Sequence, residues 1–366
     1  MNEQYIINDK RSLECMKIKT FSGYKKNDVI KMVLKSIDSG KIEAACHWTT
    51  ECLISGYTLT LWEKLLIHGC SVIHINNPNL PCYLVRKNEV LFNQIKRLNA
   101  KKTKDIILLL RNSQMVRNLF LDVVTTLATS SKKKRYDKYP KINKEEDFQF
   151  HNIQKRLCAP MNILPSHIIH FNDPDELRII MNEIFTMLKN KQIGYERSCY
   201  WMMWLIEWET LHKKKKNNLY IDERNVPEIH KKYRNNIVWA LWDIIQEEMN
   251  IRNESMVTKQ INSLKKLYIF DFTIGKRNIR LPFLFHAVGL LTHDINFKIP
   301  IRSSYPIFIQ VQGNINKLFL QKKRFEQNDI IILPKEKPKK KGKNISVEII
   351  QDKISIFNEI DSLIMK

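Results

Sequence analysis

Nine glycines in 366 residues constrain this chain more than any other feature. Hairpin turns, phosphate loops and left-handed corners draw on glycine, because it alone lacks the Cβ that penalises positive φ. A chain so poor in it reads as helices joined by short polar connections. The apolar pattern agrees. From Asn27, the residues Val29, Ile30, Met32, Val33 and Ile37 recur at helical spacing, and Ser39-Gly40 ends the run. A second helix is expected over 42–54, closed by Ser55-Gly56. A third carries Leu59, Trp62, Leu65, Leu66 and Ile73. Asn77-Pro78 opens a fourth, since asparagine caps well and proline suits a first turn. Its apolar face holds Leu84, Val90, Leu91 and Ile95. Residues 104–110 and 114–129 read as two more helices.

Residues 131–165 interrupt this pattern with a basic run, a charged stretch from Asp137 to Asp147, and Pro160 and Pro165. The pattern restarts at Asp173-Pro174-Asp175-Glu176, which reads as a cap, a first helical residue and a capping box. Ile179, Ile180, Ile184 and Leu188 follow as core positions, and further helices are expected near 196–212, 231–249, 255–270 and 279–292. Ile307–Val311 and Ile330–Leu333 read as short strands or extended cover segments. The expected fold is mostly α, a helical array or bundle of antiparallel helices in two halves, with little β near residues 305–333. Its segments are a polar N-terminal stretch (1–24), a helical domain (25–130), a basic linker (131–165), a tryptophan-rich helical domain (166–333), a second basic linker (334–344) and an amphipathic C-terminal helix (345–366).

Lysine and arginine number 61 against 38 acidic residues, a formal net charge of +23. A field of that sign attracts polyanions, nucleic acid first among them. The candidate contacts are the runs Lys132, Lys133, Lys134 and Arg135; Lys213, Lys214, Lys215 and Lys216; and Lys322, Lys323 and Arg324. Gathered in space, such cations displace counterions from a phosphate backbone and bind with little sequence preference. Some also offset the negative end of a helix dipole. Trp201, Trp204 and Trp208 share one helix face, and Trp239 and Trp242 form a second pair. Base stacking is one use for them. A core seam is the other and the better fit, because Met202, Leu205 and Ile206 widen the apolar face. Trp48, Trp62, Asn77, Pro78, Trp201, Trp204, Trp239 and Trp242 are accordingly the structural or assembly candidates.

The chain offers no phosphate loop, no Gly-x-Ser-x-Gly elbow and no His-Glu-x-x-His pair. His167 and His170 near Cys158 lack the further ligands that a metal needs. No catalytic residue, metal or cofactor is predicted. Seven cysteines without a Cys-x-x-Cys pair suit buried, reduced thiols. No apolar run approaches bilayer length, Met1 to Lys10 does not read as a signal peptide, and no basic amphipathic anchor is seen, so a membrane is not an expected partner.

Ala44-Ala-Cys-His-Trp48, Ser55-Gly56 and Ile73-His-Ile-Asn-Asn-Pro-Asn-Leu-Pro81 resemble the region just after the ATPase core of replication-associated AAA clamp-loader-like proteins, over about residues 37–95. The resemblance implies a helical collar that joins subunits, here in the 25–130 domain and without the ATPase. Lys41-Ile-Glu-Ala-Ala-Cys-His-Trp48, Asn77-Pro-Asn-Leu-Pro81, Leu109-Leu-Arg-Asn112, Asp173-Pro-Asp-Glu-Leu177, Cys199-Tyr-Trp201 and Val238-Trp-Ala-Leu-Trp242 resemble, across most of the chain, a helical family of nucleocytoplasmic large DNA viruses, the mimivirus-like group. That resemblance implies a viral factory in host cytoplasm, or the virion. The expected function is a non-enzymatic, nucleic-acid-associated scaffold in viral DNA replication or repair. DNA is the expected partner before RNA, together with viral replication or translation proteins or further copies of the chain. The alternatives are a helical translation-initiation scaffold that binds RNA and initiation factors, or a basic virion protein that neutralises the genome.

Overall fold

A computed structural model describes residues 6–7, 13–98, 103–133, 140–160, 162–214, 219–302 and 305–323. In chain order the helices are α1 (Leu13–Ile18), α2 (Lys26–Asp38), α3 (Ile42–Ile54), α4 (Thr58–Val72), α5 (Leu80–Arg97), α6 (Thr103–Asn112), α7 (Gln114–Thr129), α8 (Phe150–Arg156), α9 (Asp175–Leu188), α10 (Gly194–Lys214), α11 (Ile237–Arg252), α12 (Ser255–Ile269), α13 (Leu281–Thr292) and α14 (Tyr305–Lys323). The fold is a mostly α helical array. Among the described residues the β structure is a single antiparallel bridge between Lys19 and Lys25. No helix among them is long and apolar enough to cross a membrane.

The chain forms two units, each assembled from separated stretches. The first is drawn from Met1–His68, Arg86–Ser131 and Ile301–Lys366, the second from Gly69–Val85 and Lys132–Pro300. This division differs from the linear segments 25–130 and 166–333. Residues 69–85 belong with the second unit and 301–323 with the first, because packing rather than chain order groups them.

The first unit is built on α3 and α7, which pack against each other and against α2, α6 and α14. Ser113 caps α7, its Oγ accepting from the Val116 N–H at 3.4 Å. Trp62 is buried against Phe120 and donates its indole N–H to Asn88 Oδ1 at 2.8 Å. Residues 307–311, expected as a short strand or an extended cover segment, lie inside α14. Phe308, Val311, Ile315 and Phe319 form its inward stripe, while Ile309 points to solvent. Five apolar-rich residues are too short a window to tell strand from helix, and the window through 319 shows the helical period. Residues 330–333, 334–344 and 345–366 lie outside the described residues. Residues 13–24, read as a polar lead-in, hold α1 and an ordered turn. Met32, Leu59 and Val90, placed on core faces, are exposed.

The second unit is organised around α13. All twelve of its residues are buried, and it packs against α9, α10, α11 and α12. A helix that is apolar all round must sit inside. The tryptophans line the same interior. Trp201, Trp204 and Trp208 are buried along α10, with Trp204 donating to Asp147 O at 2.8 Å. Trp239 and Trp242 of α11 pack on Tyr268. They form the core seam. The capping assignment at Asp173 is corrected. Helix α9 begins at Asp175, and buried Asp173 instead pairs with buried Arg224 at 2.5 Å and accepts from the His170 N–H. Ile179 is exposed. Helix α11 starts at Ile237, later than expected, because Asn236 caps it through Val238 N–H at 3.2 Å.

Candidate nucleic-acid interface

The last turns of α10 run past two consecutive 3-10 turns, Ile274–Lys276 and Asn278–Arg280, in the second unit. Between them lies a cleft of about 440 Å³, lined by Glu209, Thr210, Lys213, Lys214, Ile274, Gly275, Arg277 and Asn278. Glu209 is its organising group. Although a carboxylate on a long helix would ordinarily face water, Glu209 is 1% exposed. One carboxylate oxygen accepts from Lys213 Nζ at 2.9 Å and from the Ile237 N–H at 3.3 Å. The other accepts from Arg277 Nη1. The backbone donor belongs to the first turn of α11, where a carboxylate also meets the positive helix end.

Arg277 and Lys213 share Glu209, and the three cations differ in what else they touch. Arg277 donates through Nε to Asn278 Oδ1 at 3.0 Å, and its carbonyl accepts from the Tyr268 hydroxyl at 3.3 Å. Lys213 leans on Glu209 one helical turn back and stays more than half exposed. Lys214 is exposed and has no ion-pair partner among the described residues. The cleft thus sets three cationic side chains against one carboxylate, so an anion entering it meets a net positive field. Gly275 leaves its wall bare, since a Cβ added there meets nothing within 4 Å. Arg277 is itself buried, with Nη1 on Glu209 and Nε on Asn278, so the exposed donors are the ammonium groups of Lys213 and Lys214, which suit a phosphodiester oxygen.

The other predicted contacts divide. Lys133 is exposed and half-buried Lys132 adjoins it, and the Lys133 N–H donates to Val72 O at 2.9 Å. His293 is held below its ordinary pKa by burial and then by Lys133 and Lys191, which puts these cations in one neighbourhood. Lys322 is a correction. It is buried and pairs with buried Glu51 at 3.0 Å, so it is an internal cation of the first unit. Lys323 beside it is half-buried. Lys134, Arg135, Lys215, Lys216 and Arg324 lie outside the described residues. Of the assembly candidates, Trp62, Asn77, Pro78, Trp201, Trp204, Trp239 and Trp242 are buried, and Trp48 is half-buried. His167 faces Glu247 at 3.0 Å. Among the described residues no group of three or more His, Cys, Asp or Glu is placed to hold a metal.

Sequence reading found Lys213 and Lys214 and missed Glu209, Arg277 and Asn278. Their one signal was the short Gly275-Lys276-Arg277 run, and nothing local ties it to α10. No protein-family model, no curated protein and no solved structure matches this chain.

Proposed function

We propose that this chain is a non-enzymatic helical scaffold that holds nucleic acid, DNA before RNA, in viral DNA replication or repair. The observation that carries the reading is the meeting of Lys213 and Lys214 with Arg277 in one open cleft on a chain of net charge +23. Phosphate contact there is electrostatic and tolerant of sequence. The viral and replicative setting is supported by the resemblances in the sequence, and the helical array suits a protein that positions partners.

The test is binding of fluorescent DNA and RNA by the purified full chain across a salt series. Micromolar or tighter affinity that falls steeply with salt is expected. Lys213→Ala with Lys214→Ala should weaken it and lower the log–log salt slope by roughly 1.4 to 1.8. No binding at low salt, or a slope untouched by the pair, would overturn the reading.

A further inference from the structure

The turn at residues 19–25 is held in the first unit by more bonds than a surface turn of this length requires. Thr20 N–H donates to Tyr24 O at 2.7 Å and Gly23 N–H to Thr20 O at 3.0 Å, while Lys19 and Lys25 pair across the antiparallel bridge. Gly23 sits at φ +89, a conformation side chains resist. Beneath, Phe21 N–H donates to Ser55 Oγ at 2.7 Å and the Tyr57 hydroxyl to Lys19 O at 2.7 Å. Ser22 donates its N–H and hydroxyl to the two oxygens of Glu51, at 2.9 and 2.8 Å. Burial opposes charge on Glu51, but the Ser22 N–H, the Thr20 and Ser22 hydroxyls and Lys322 outweigh it and hold the carboxyl below its ordinary range.

This pinned turn displays a particular set of groups. Lys17, Lys19 and Lys25 are exposed. Lys26 lies over the Tyr57 ring at 4.9 Å, and its pKa is lowered by burial and, in part, by Lys17 nearby. Tyr24, 48% exposed, stands 5.5 Å from half-buried Trp48 with the two rings 80° apart, and Lys322 Nζ lies 6.0 Å from the Trp48 ring centre. Perpendicular rings make a corner. A flat aromatic ligand can stack on one wall and meet the other with its edge. Cations around aromatic rings are the recurring composition of surfaces that hold unpaired bases.

We propose that the turn at residues 19–25 is a second binding site, for single-stranded nucleic acid: Tyr24 and Trp48 take an unpaired base, and Lys17, Lys19 and Lys25 take the phosphates beside it. It rests on the nucleic-acid reading given above and adds strand preference to it. A duplex keeps its bases stacked and can use only the lysines.

The experiment compares an oligothymidylate of about 20 nucleotides with a duplex of equal length, by fluorescence anisotropy on the full chain. Tyr24→Ala should weaken the single strand about tenfold and the duplex less than about twofold, and Tyr24→Phe should restore single-strand affinity. Lys19→Glu with Lys25→Glu should weaken both. Bromodeoxyuridine photocrosslinking of the unmodified chain should label a peptide containing Tyr24 or Trp48, a readout independent of any variant's folding. If Lys213→Ala with Lys214→Ala weakens binding while Tyr24→Ala does not and crosslinks fall elsewhere, this site is refuted and the cleft stands. If the unmodified chain binds neither probe, the nucleic-acid reading itself fails. Displacement of the oligonucleotide by polyglutamate, with Tyr24→Ala inert, would reassign the turn to an acidic peptide and overturn the proposal.

Discussion

Lys322 Nζ lies 3.0 Å from Glu51 Oε2 with both side chains buried. The pair joins α14 to α3, and the same carboxylate holds Ser22 in the 19–25 turn. Removing one partner strands a charge in the interior. Lys322→Met should therefore cost about 3–5 kcal/mol in urea unfolding, and adding Glu51→Gln should recover part of the loss. The folded pKa of Glu51 is depressed from 4.5. Its contribution is thus present above that value and lost as the pH falls through the folded pKa. Glu51→Gln should flatten the acid limb of the stability profile.

Gly194 opens α10 against α9. A Cβ there would stand 2.1 Å from Met187 O and 3.3 Å from Thr292 Cγ2. The obstacle is backbone, which cannot rotate away. Gly194→Ala should destabilise the protein by about 3 kcal/mol despite the better helix propensity of alanine. An unchanged unfolding midpoint would contradict this packing.

His286 sits fully buried in α13, its ring 6.4 Å from that of His74, and neither ring nitrogen has a hydrogen-bond partner among the described residues. Burial, and then His74, push its pKa well below 6.5. Below pH 6.5 the unfolded chain takes a proton that the folded chain refuses. Stability is therefore complete above 6.5 and falls with pH towards the folded value, by up to about 1.4 kcal/mol per unit. His286→Leu should remove that slope without loss at neutral pH. Denaturant midpoints between about pH 7.5 and 5.5 will show whether it does.

Cys158 is exposed, with Arg197 Nη1 2.7 Å from its sulfur, and Cys15 is half-buried. The remaining five thiols are buried. Burial raises the pKa of Cys46 to about 11, and those of Cys52, Cys70 and Cys199 further still. A thiol reagent at neutral pH should modify Cys158 first and Cys15 second, with the rest reacting on denaturation. Rapid native labelling of Cys70 or Cys199, mapped by mass spectrometry, would contradict the packing of α4 or α10.

Legibility followed the range of the forces involved. The bounds of α3 are those read from the sequence, because Gly40, Gly56 and the apolar period between them all lie within a few turns. Asp173 looked like a cap because the next three residues fit a capping box. Its partner, Arg224, lies 51 residues on and could not be seen. Lys322 read as one more surface cation, since its destination depends on Glu51 at the other end of the chain. Lys213 and Lys214 were visible as a run, whereas Glu209 and Arg277 belonged to no pattern.

Composition and period alone determined that this chain is helical, basic and rich in buried tryptophan, since backbone hydrogen bonds and apolar stripes repeat over a few residues. Tertiary structure alone decided which cations face solvent. A lysine's charge is written in its codon, but its role depends on whether a carboxylate waits beside it. That is settled only when distant segments pack and exclude water.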